Sequence, residues 1–167
     1  VLDRIKNYLK EKQIRNDIVE SASSSFTIDD LLKIYKKSHV LNKSINKKFG
    51  QDAVAIYKRS SNILLSEEKN LENYSGSADP GLFKNDYEKN LYKKIHEIRK
   101  YFSSVGREEN FEESLVVLSN SKSQLNDFFD NVVVNDPDDA IKKNRLELLA
   151  MLCKSFDNYF NFSKIEA

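Results

Sequence analysis

Asn126–Leu152 reads NDFFDNVVVNDPDDAIKKNRLELLAML, and this stretch decides the fold. Leu125, Phe128, Phe129 and Val132 recur at helical spacing, so a first helix lays two aromatic rings on one face. Asp136 is placed to cap the next helix, with Pro137 at its first position, where a missing N–H costs nothing. From Ile141 to Phe156 that helix carries Ile141, Leu146, Leu148, Leu149, Met151, Leu152 and Phe156 around most of its circumference, the pattern of a helix surrounded by others. Arg145 falls inside the apolar arc, because at about 100° per residue Ile141, Arg145, Leu148 and Leu152 lie within roughly 60° of one another. Its guanidinium must meet a carboxylate or snorkel out of the core. Asp127 and Asp130 lie across the corner, and Asp130 with Arg145 is the expected structural ion pair.

Outward from this corner the composition keeps the same character. The 167 residues are 40% hydrophobic and include ten Phe and eight Tyr, enough for one domain with a sizeable core. Four Gly and two Pro leave little punctuation for an all-β protein. The class is therefore all-α, a single domain over residues 1–167 built as a bundle of roughly seven or eight helices. Cys153, the one cysteine, sits on the buried helix and reads as a small hydrophobe; no Cys/His spacing suggests a metal site, and a reducing cytosol is expected. No apolar run approaches membrane-spanning length and no signal peptide opens the chain, so a cytoplasmic location with no membrane partner is expected. The start at Val1 reads as an excised fragment or a processed product.

Periodicity predicts a first helix over residues 1–12 with Leu2, Ile5 and Leu9 inward, and a short second one over Asn16–Ser21. After the SASSS loop, Thr27 caps a third helix, Asp29 and Asp30 suit its positive end, and Leu31, Ile34, Leu41 and Ile45 form its buried stripe. Gly50 ends that helix or turns the chain, and a fourth runs from Gln51 to Leu65. Residues 66–84 have loop composition and read as a mobile connector between two helical subregions. Asn85 and Glu88 form a capping box at the head of a long helix ending near Ser104, with Gly106 as its C-terminal cap. Glu108 and Glu109 begin the next helix, with Phe111, Leu115 and Leu118 inward. Tyr159, Phe160, Phe162 and Ile165 should fold the tail back onto the bundle.

Net charge is only +1, but its distribution is uneven. Residues 1–65 carry thirteen basic against seven acidic side chains, whereas residues 66–139 carry nine against sixteen. This asymmetry fits a basic face from the N-terminal third, or charged side chains that simply solvate helices. Lys33, Lys36, Lys37, Lys43, Lys47 and Lys48, with Tyr35 and His39 between them, could hold phosphates and offer rings to unstacked bases. The alternative is a solvated face with Tyr35 half buried. Lys58, Arg59 and Asn62 share one arc of the fourth helix, where two cations and an amide suit phosphate and base-edge recognition. A solvated Lys-Arg pair with Asn62 bonding its own helix is the competing reading. No phosphate loop, GxSxG elbow, HExxH or Cys/His cluster appears, and the carboxylate pairs lie near helix starts, so no catalytic residue is nominated.

Three blocks carry a family resemblance. FFDNVVV followed by NRLELLAML resembles the end of the beta subunit of the bacterial two-subunit glycyl-tRNA synthetase, whose C-terminal domain is an all-helical anticodon-binding domain of the DALR type, shared with arginyl-tRNA synthetase. AIYKRSSNILL, from Ala55 to Leu65, resembles that family's Lys-Arg-x-x-Asn-Ile-Leu pattern, and DRIKNYLKEKQIRNDIVES resembles the start of its C-terminal region. The blocks come in the family's order and cover nearly the whole chain. VVV stands where Val-Met-Val is more usual, and a long polar insertion follows Leu65.

The resemblance implies a non-catalytic tRNA-binding domain with glycine tRNA as its partner. It favours the recognition reading of Lys58, Arg59 and Asn62, with bases read by Arg59 and Asn62 and with Asn144 in the same family pattern. Lys36, Lys37, Lys43 and Lys47 then hold phosphates. It further implies that the parent is an ATP-dependent ligase whose alpha subunit forms the aminoacyl-adenylate within a heterotetramer, leaving this stretch without a cofactor. The alternative is a helical protein-interaction module with no nucleic-acid role.

Overall fold

The computed structural model describes residues 2–23, 31–104, 110–157 and 160–165, with the side chains of Leu2, Ile5, Lys6, Ser23, Leu31 and Leu32 outside that description. The expected roles of Thr27, Asp29, Asp30, Gly106, Glu108, Glu109 and Tyr159, and the inward placement of Leu2, Ile5 and Leu31, fall outside the described residues. Eight α-helices and no strand occur among them: α1 (Leu2–Glu11), α2 (Asn16–Ser23), α3 (Leu31–Ser44), α4 (Lys48–Glu67), α5 (Asp86–Ser104), α6 (Phe111–Ser119), α7 (Lys122–Asn131) and α8 (Asp139–Asp157). The class is all-α, as the residue periodicity predicts.

Helix α8 is the axis of the bundle. Ile141 and the unbroken run Asn144–Cys153 are buried, as are Ser155 and Phe156, so the helix is enclosed by its neighbours. It packs on α4 and α5, and α4 in turn packs on α6, α7 and the tail. The start of α8 differs from the sequence expectation. Asp138 caps it, its Oδ1 accepting from the N–H groups of Ala140 at 2.9 Å and Ile141 at 3.3 Å. Asp136 instead accepts from the Asp138 N–H at 2.9 Å. Pro137 therefore lies in the turn before the helix, and the run of three aspartates in four positions shifts the cap two residues downstream.

Gly50 does not end a helix. It lies in the first turn of α4, where a Cβ would stand 2.0 Å from the Ser44 carbonyl oxygen, so only glycine lets α4 begin so close to the end of α3. The tail folds back as expected: Phe160, Phe162 and Ile165 are buried, and Phe162 lies 5.9 Å from the ring of Tyr57 on α4 and 5.6 Å from Phe156 on α8.

The polar connector is stapled to α8. One carboxylate, Glu147, accepts from Ser75 N–H (3.2 Å), Ser75 O–H (2.9 Å), Gly76 N–H (2.7 Å) and Ser77 N–H (3.4 Å). Gly76 has φ +69°, the left-handed conformation that turns these donors toward a common point. The Lys154 ammonium donates to the Tyr74 carbonyl at 2.5 Å, and the Tyr74 hydroxyl donates to the Leu64 carbonyl at 3.1 Å. The composition of this segment is that of a loop, and its tie to Glu147 on the central helix, 71 positions from Gly76, lies beyond the reach of local composition.

Candidate nucleic-acid interface

Along α4 the residues Asp52, Arg59 and Asn62 fall on one helical stripe, and α7 packs beside it. The stripe is tied to α7 by polar contacts. The Lys122 ammonium lies 2.6 Å from Asp52, which also pairs with Lys48 at 2.6 Å; these two cations hold the Asp52 carboxyl below its ordinary value. Farther along, Arg59 donates to the Asn126 side-chain oxygen at 3.1 Å. The guanidinium carbon of Arg59 stands 4.2 Å from the centroid of the Phe129 ring. Phe129 is itself set edge-on to the fully buried Phe128, with centroids 5.5 Å apart and planes at 69°.

Arg59 and Asn62 are exposed and Lys58 is half-buried. Among the described residues, neither Lys58 nor the Asn62 amide has a side-chain hydrogen bond, and no carboxylate pairs with Arg59. The side chains of Asn126 and Phe129 complete this surface, and the reading of the sequence missed them. Periodicity lays both rings of the Phe-Phe pair on one face; Phe128 is buried, and Phe129 packs partly buried against the core with Arg59 over its ring. One signal was available in the sequence: Arg59 lies in AIYKRSSNILL and Phe129 in FFDNVVV, two blocks of the same resemblance, and the structure brings these two residues together.

The lysines of α3 divide. Lys36 and Lys43 are exposed, on the same face as Tyr35 and His39, whose rings lie 6.0 Å apart with an interplanar angle of 10°. Lys47, just before α4, is exposed and pairs with Glu112 at 2.6 Å. Lys37 does not belong with them. It is only 9% exposed, with its ammonium 5.5 Å from the centroid of the Phe111 ring on α6, so the expected phosphate contact is corrected to a packing role. No hydrogen bond, ion pair or ring contact joins Lys36 or Lys43 to the Arg59 surface among the described residues.

Two further expectations need correction. Asn144 is buried and its amide engages both backbone groups of one residue, accepting from the Asp79 N–H at 2.7 Å and donating to the Asp79 carbonyl at 3.0 Å, so it is spent on the connector and not available to a ligand. Arg145 is buried, but its partner is neither Asp130 nor Asp127. Its Nε donates to Glu88 at 2.6 Å, and NH1 donates to Asp136 at 2.6 Å and to the Val133 carbonyl at 2.8 Å. Asp130 is exposed on α7, while Glu88 arrives from α5, an approach that spacing along the chain does not reveal. The second Glu88 oxygen accepts from the N–H groups of Lys84 at 2.6 Å and Asn85 at 3.1 Å, and Asn85 returns a bond to the Glu88 N–H at 3.0 Å. The capping box thus forms, and its carboxylate also serves Arg145. The Asp138 N–H, followed by Arg145, holds the Asp136 carboxyl below its usual range.

No group of three or more potential metal ligands occurs among the described residues, and no helix there is long and apolar enough to cross a membrane. A sequence model of the DALR anticodon binding domain matches residues 53–167. Over 166 residues the chain is 31% identical to the glycine–tRNA ligase beta subunit of Rhodospirillum centenum, covering 98% of this chain and 23% of that protein. Over 165 residues it is 27% identical to the glycine–tRNA ligase beta subunit of Dinoroseobacter shibae, with the same coverage of 98% and 23%. The chain therefore spans about a quarter of the length of these curated relatives. The matched span takes in the Arg59 turn of α4 and everything from α5 to the buried tail, and on that match this chain belongs to the DALR anticodon binding domain family.

Proposed function

We propose that the chain is the anticodon-binding part of a glycyl-tRNA synthetase beta subunit and grips glycine tRNA by its anticodon region while the assembled enzyme attaches glycine. The observation that carries this reading is the exposed Arg59–Asn62 turn, set against Asn126 and Phe129 inside the span that matches the anticodon-binding family. Only unstacked, single-stranded bases offer a protein their pairing edges, and an anticodon loop presents such bases. Asn62 brings a donor and an acceptor on one planar group, Arg59 a planar cation and Lys58 a neighbouring charge. Lys36 and Lys43 are free to meet phosphates. Lys47 can exchange Glu112 for a phosphate, because a surface ion pair of this kind contributes only about 0–1 kcal/mol.

In this reading the stretch holds no cofactor of its own. The alpha subunit, reached through the remainder of the parent chain, forms the adenylate, and the assembly works in the cytoplasm. Fluorescence anisotropy with glycine tRNA, an anticodon-altered variant and an unrelated tRNA, each across a salt series, tests it. Cognate preference that collapses in Arg59→Ala or Asn62→Ala is the expected result. Equal, salt-sensitive binding to all three reduces the surface to a non-specific basic patch, and salt-insensitive binding of a protein partner in place of tRNA favours a docking module.

A further inference from the structure

The inference rests on the anticodon-region reading above and concerns how Arg59 acts within it. We propose that Arg59 is a stacking shelf: one unpaired base of the bound loop lies on the guanidinium face turned away from Phe129, while Asn62 reads that base's edge and Asn126 and Phe129 act as positioning residues.

Four observations carry it. One side of the guanidinium is already occupied, its central carbon lying 4.2 Å from the centroid of the Phe129 ring. The NH1 edge is held by the Asn126 oxygen at 3.1 Å, so a flexible side chain is fixed in orientation before any ligand arrives. That oxygen belongs to a neutral amide and no carboxylate pairs with Arg59 among the described residues, so the positive charge remains uncompensated. The carboxylate on the same stripe of α4, Asp52, is shared between Lys48 and Lys122. Finally, the residue is exposed, so a ligand can reach it.

An arginine poised only for a phosphate keeps its donor edge free, whereas here part of the edge is in use on Asn126 and the guanidinium carbon lies over a ring. A delocalised planar cation laid on one aromatic ring offers a nucleobase a second stacking partner, and unstacked bases in RNA loops are bound on such planes. Asn62 lies three residues along α4, and side chains at that spacing are neighbours about 5–6 Å apart on a helix surface. Its unengaged amide can therefore address the edge of a base resting on Arg59. Phe129 matters because its own tilt is set by the buried Phe128 ring, so the shelf inherits the rigidity of the core. Ordering the arginine in advance lowers the entropic cost of forming the complex.

The test uses the 167-residue chain with glycine tRNA and with hairpins carrying that tRNA's anticodon stem and loop, each hairpin lacking one loop base. Arg59→Lys keeps the charge and removes the plane. It should weaken binding about tenfold while leaving the slope of affinity against salt unchanged. One abasic position should cost the parent chain about tenfold and the Arg59→Lys chain almost nothing, because the lost base and the lost plane belong to one contact. Phe129→Leu, which keeps an apolar residue over Phe128, should weaken binding in the same position-specific way. Parental affinity in Arg59→Lys overturns the shelf but leaves the anticodon reading standing, as does a loss spread evenly over all hairpins with a shallower salt slope. Failure of the parent chain to bind any of these RNAs at low salt overturns the anticodon reading and the shelf together.

Discussion

Two arginine–asparagine sets, one on each of the two longest-packed helices, have opposite fates. Asn144 and Arg145 on α8 are buried, and every described contact they make is with the fold: the Asp79 peptide, Glu88, Asp136 and the Val133 carbonyl. Arg59 and Asn62 on α4 are exposed, with one amide bond and one ring between them. Periodicity already separates the two arginines, Arg145 inside an apolar arc and Arg59 on a polar one, but it does not name their partners. The difference teaches that a polar pair on a helix has no role until its surroundings are known. Where apolar neighbours exclude water, donors must be satisfied internally; where they do not, donors remain available to a partner.

The sharpest way to break the comparison is to remove Arg145. Arg145→Met leaves Glu88 as a charge with no cation beside it in a site that excludes water, a change expected to cost about 3–5 kcal/mol of stability. Thermal or urea unfolding measures this. Parental stability would show that the buried set is as dispensable to the fold as the exposed one.

Asn144→Ala should cost less, about 1–3 kcal/mol, because it strands the Asp79 N–H, while the Asp79 carbonyl keeps its bond from the Leu82 N–H, and no charge is stranded. Hydrogen exchange should then accelerate around residues 75–81 ahead of the helices, as the connector loses one of its attachments to α8. Uniform acceleration across the bundle would mean that the connector is not a separable unit. On the exposed side, Arg59→Ala and Asn62→Ala should each change stability by no more than about 0.5 kcal/mol while weakening glycine tRNA binding at least several-fold. Melting curves and anisotropy on the same samples separate the two effects, and a large stability loss would place Arg59 with the buried set.

Acidity gives the smallest and most local comparison. Asp136 is held below the ordinary carboxylate range by the Asp138 N–H and Arg145. A depressed folded value means its contribution is present above the unfolded pKa of about 3.9 and is lost as pH falls through the folded value. Melting temperature followed from pH 6 downward should therefore fall less steeply in Asp136→Asn than in the parent chain. Superimposable profiles would remove Asp136 from the clamp.

Periodicity was enough to read the all-α class, the enclosed α8, the Asn85–Glu88 capping box and the aromatic tail, since each depends on residues within a turn or two of one another. What escaped depends on approach between distant elements. Glu88 reaches Arg145 across 57 positions and Ser75 reaches Glu147 across 72, distances at which charge and composition say nothing about pairing. The lysine cluster of α3 shows the same limit. Lys36 and Lys37 are adjacent in sequence and about 100° apart on the helix, and that rotation places one in solvent and the other over Phe111. Gly50 reads as punctuation, yet its purpose is close approach of two backbones.

The buried tail also constrains the order in which the protein can assemble. Asn161 donates its N–H to the Ser21 carbonyl at 3.4 Å, and the turn Phe162–Lys164 packs against α2 as well as α4. Helix α2, which also packs on α3, is thus made well before the turn that completes the cover of its apolar face. Such contacts close loops of well over a hundred residues, which slows folding relative to a bundle stitched from neighbours. During synthesis α2 therefore lacks this part of its cover, and stays open to chaperones and proteases there, until the distant tail turn has been made.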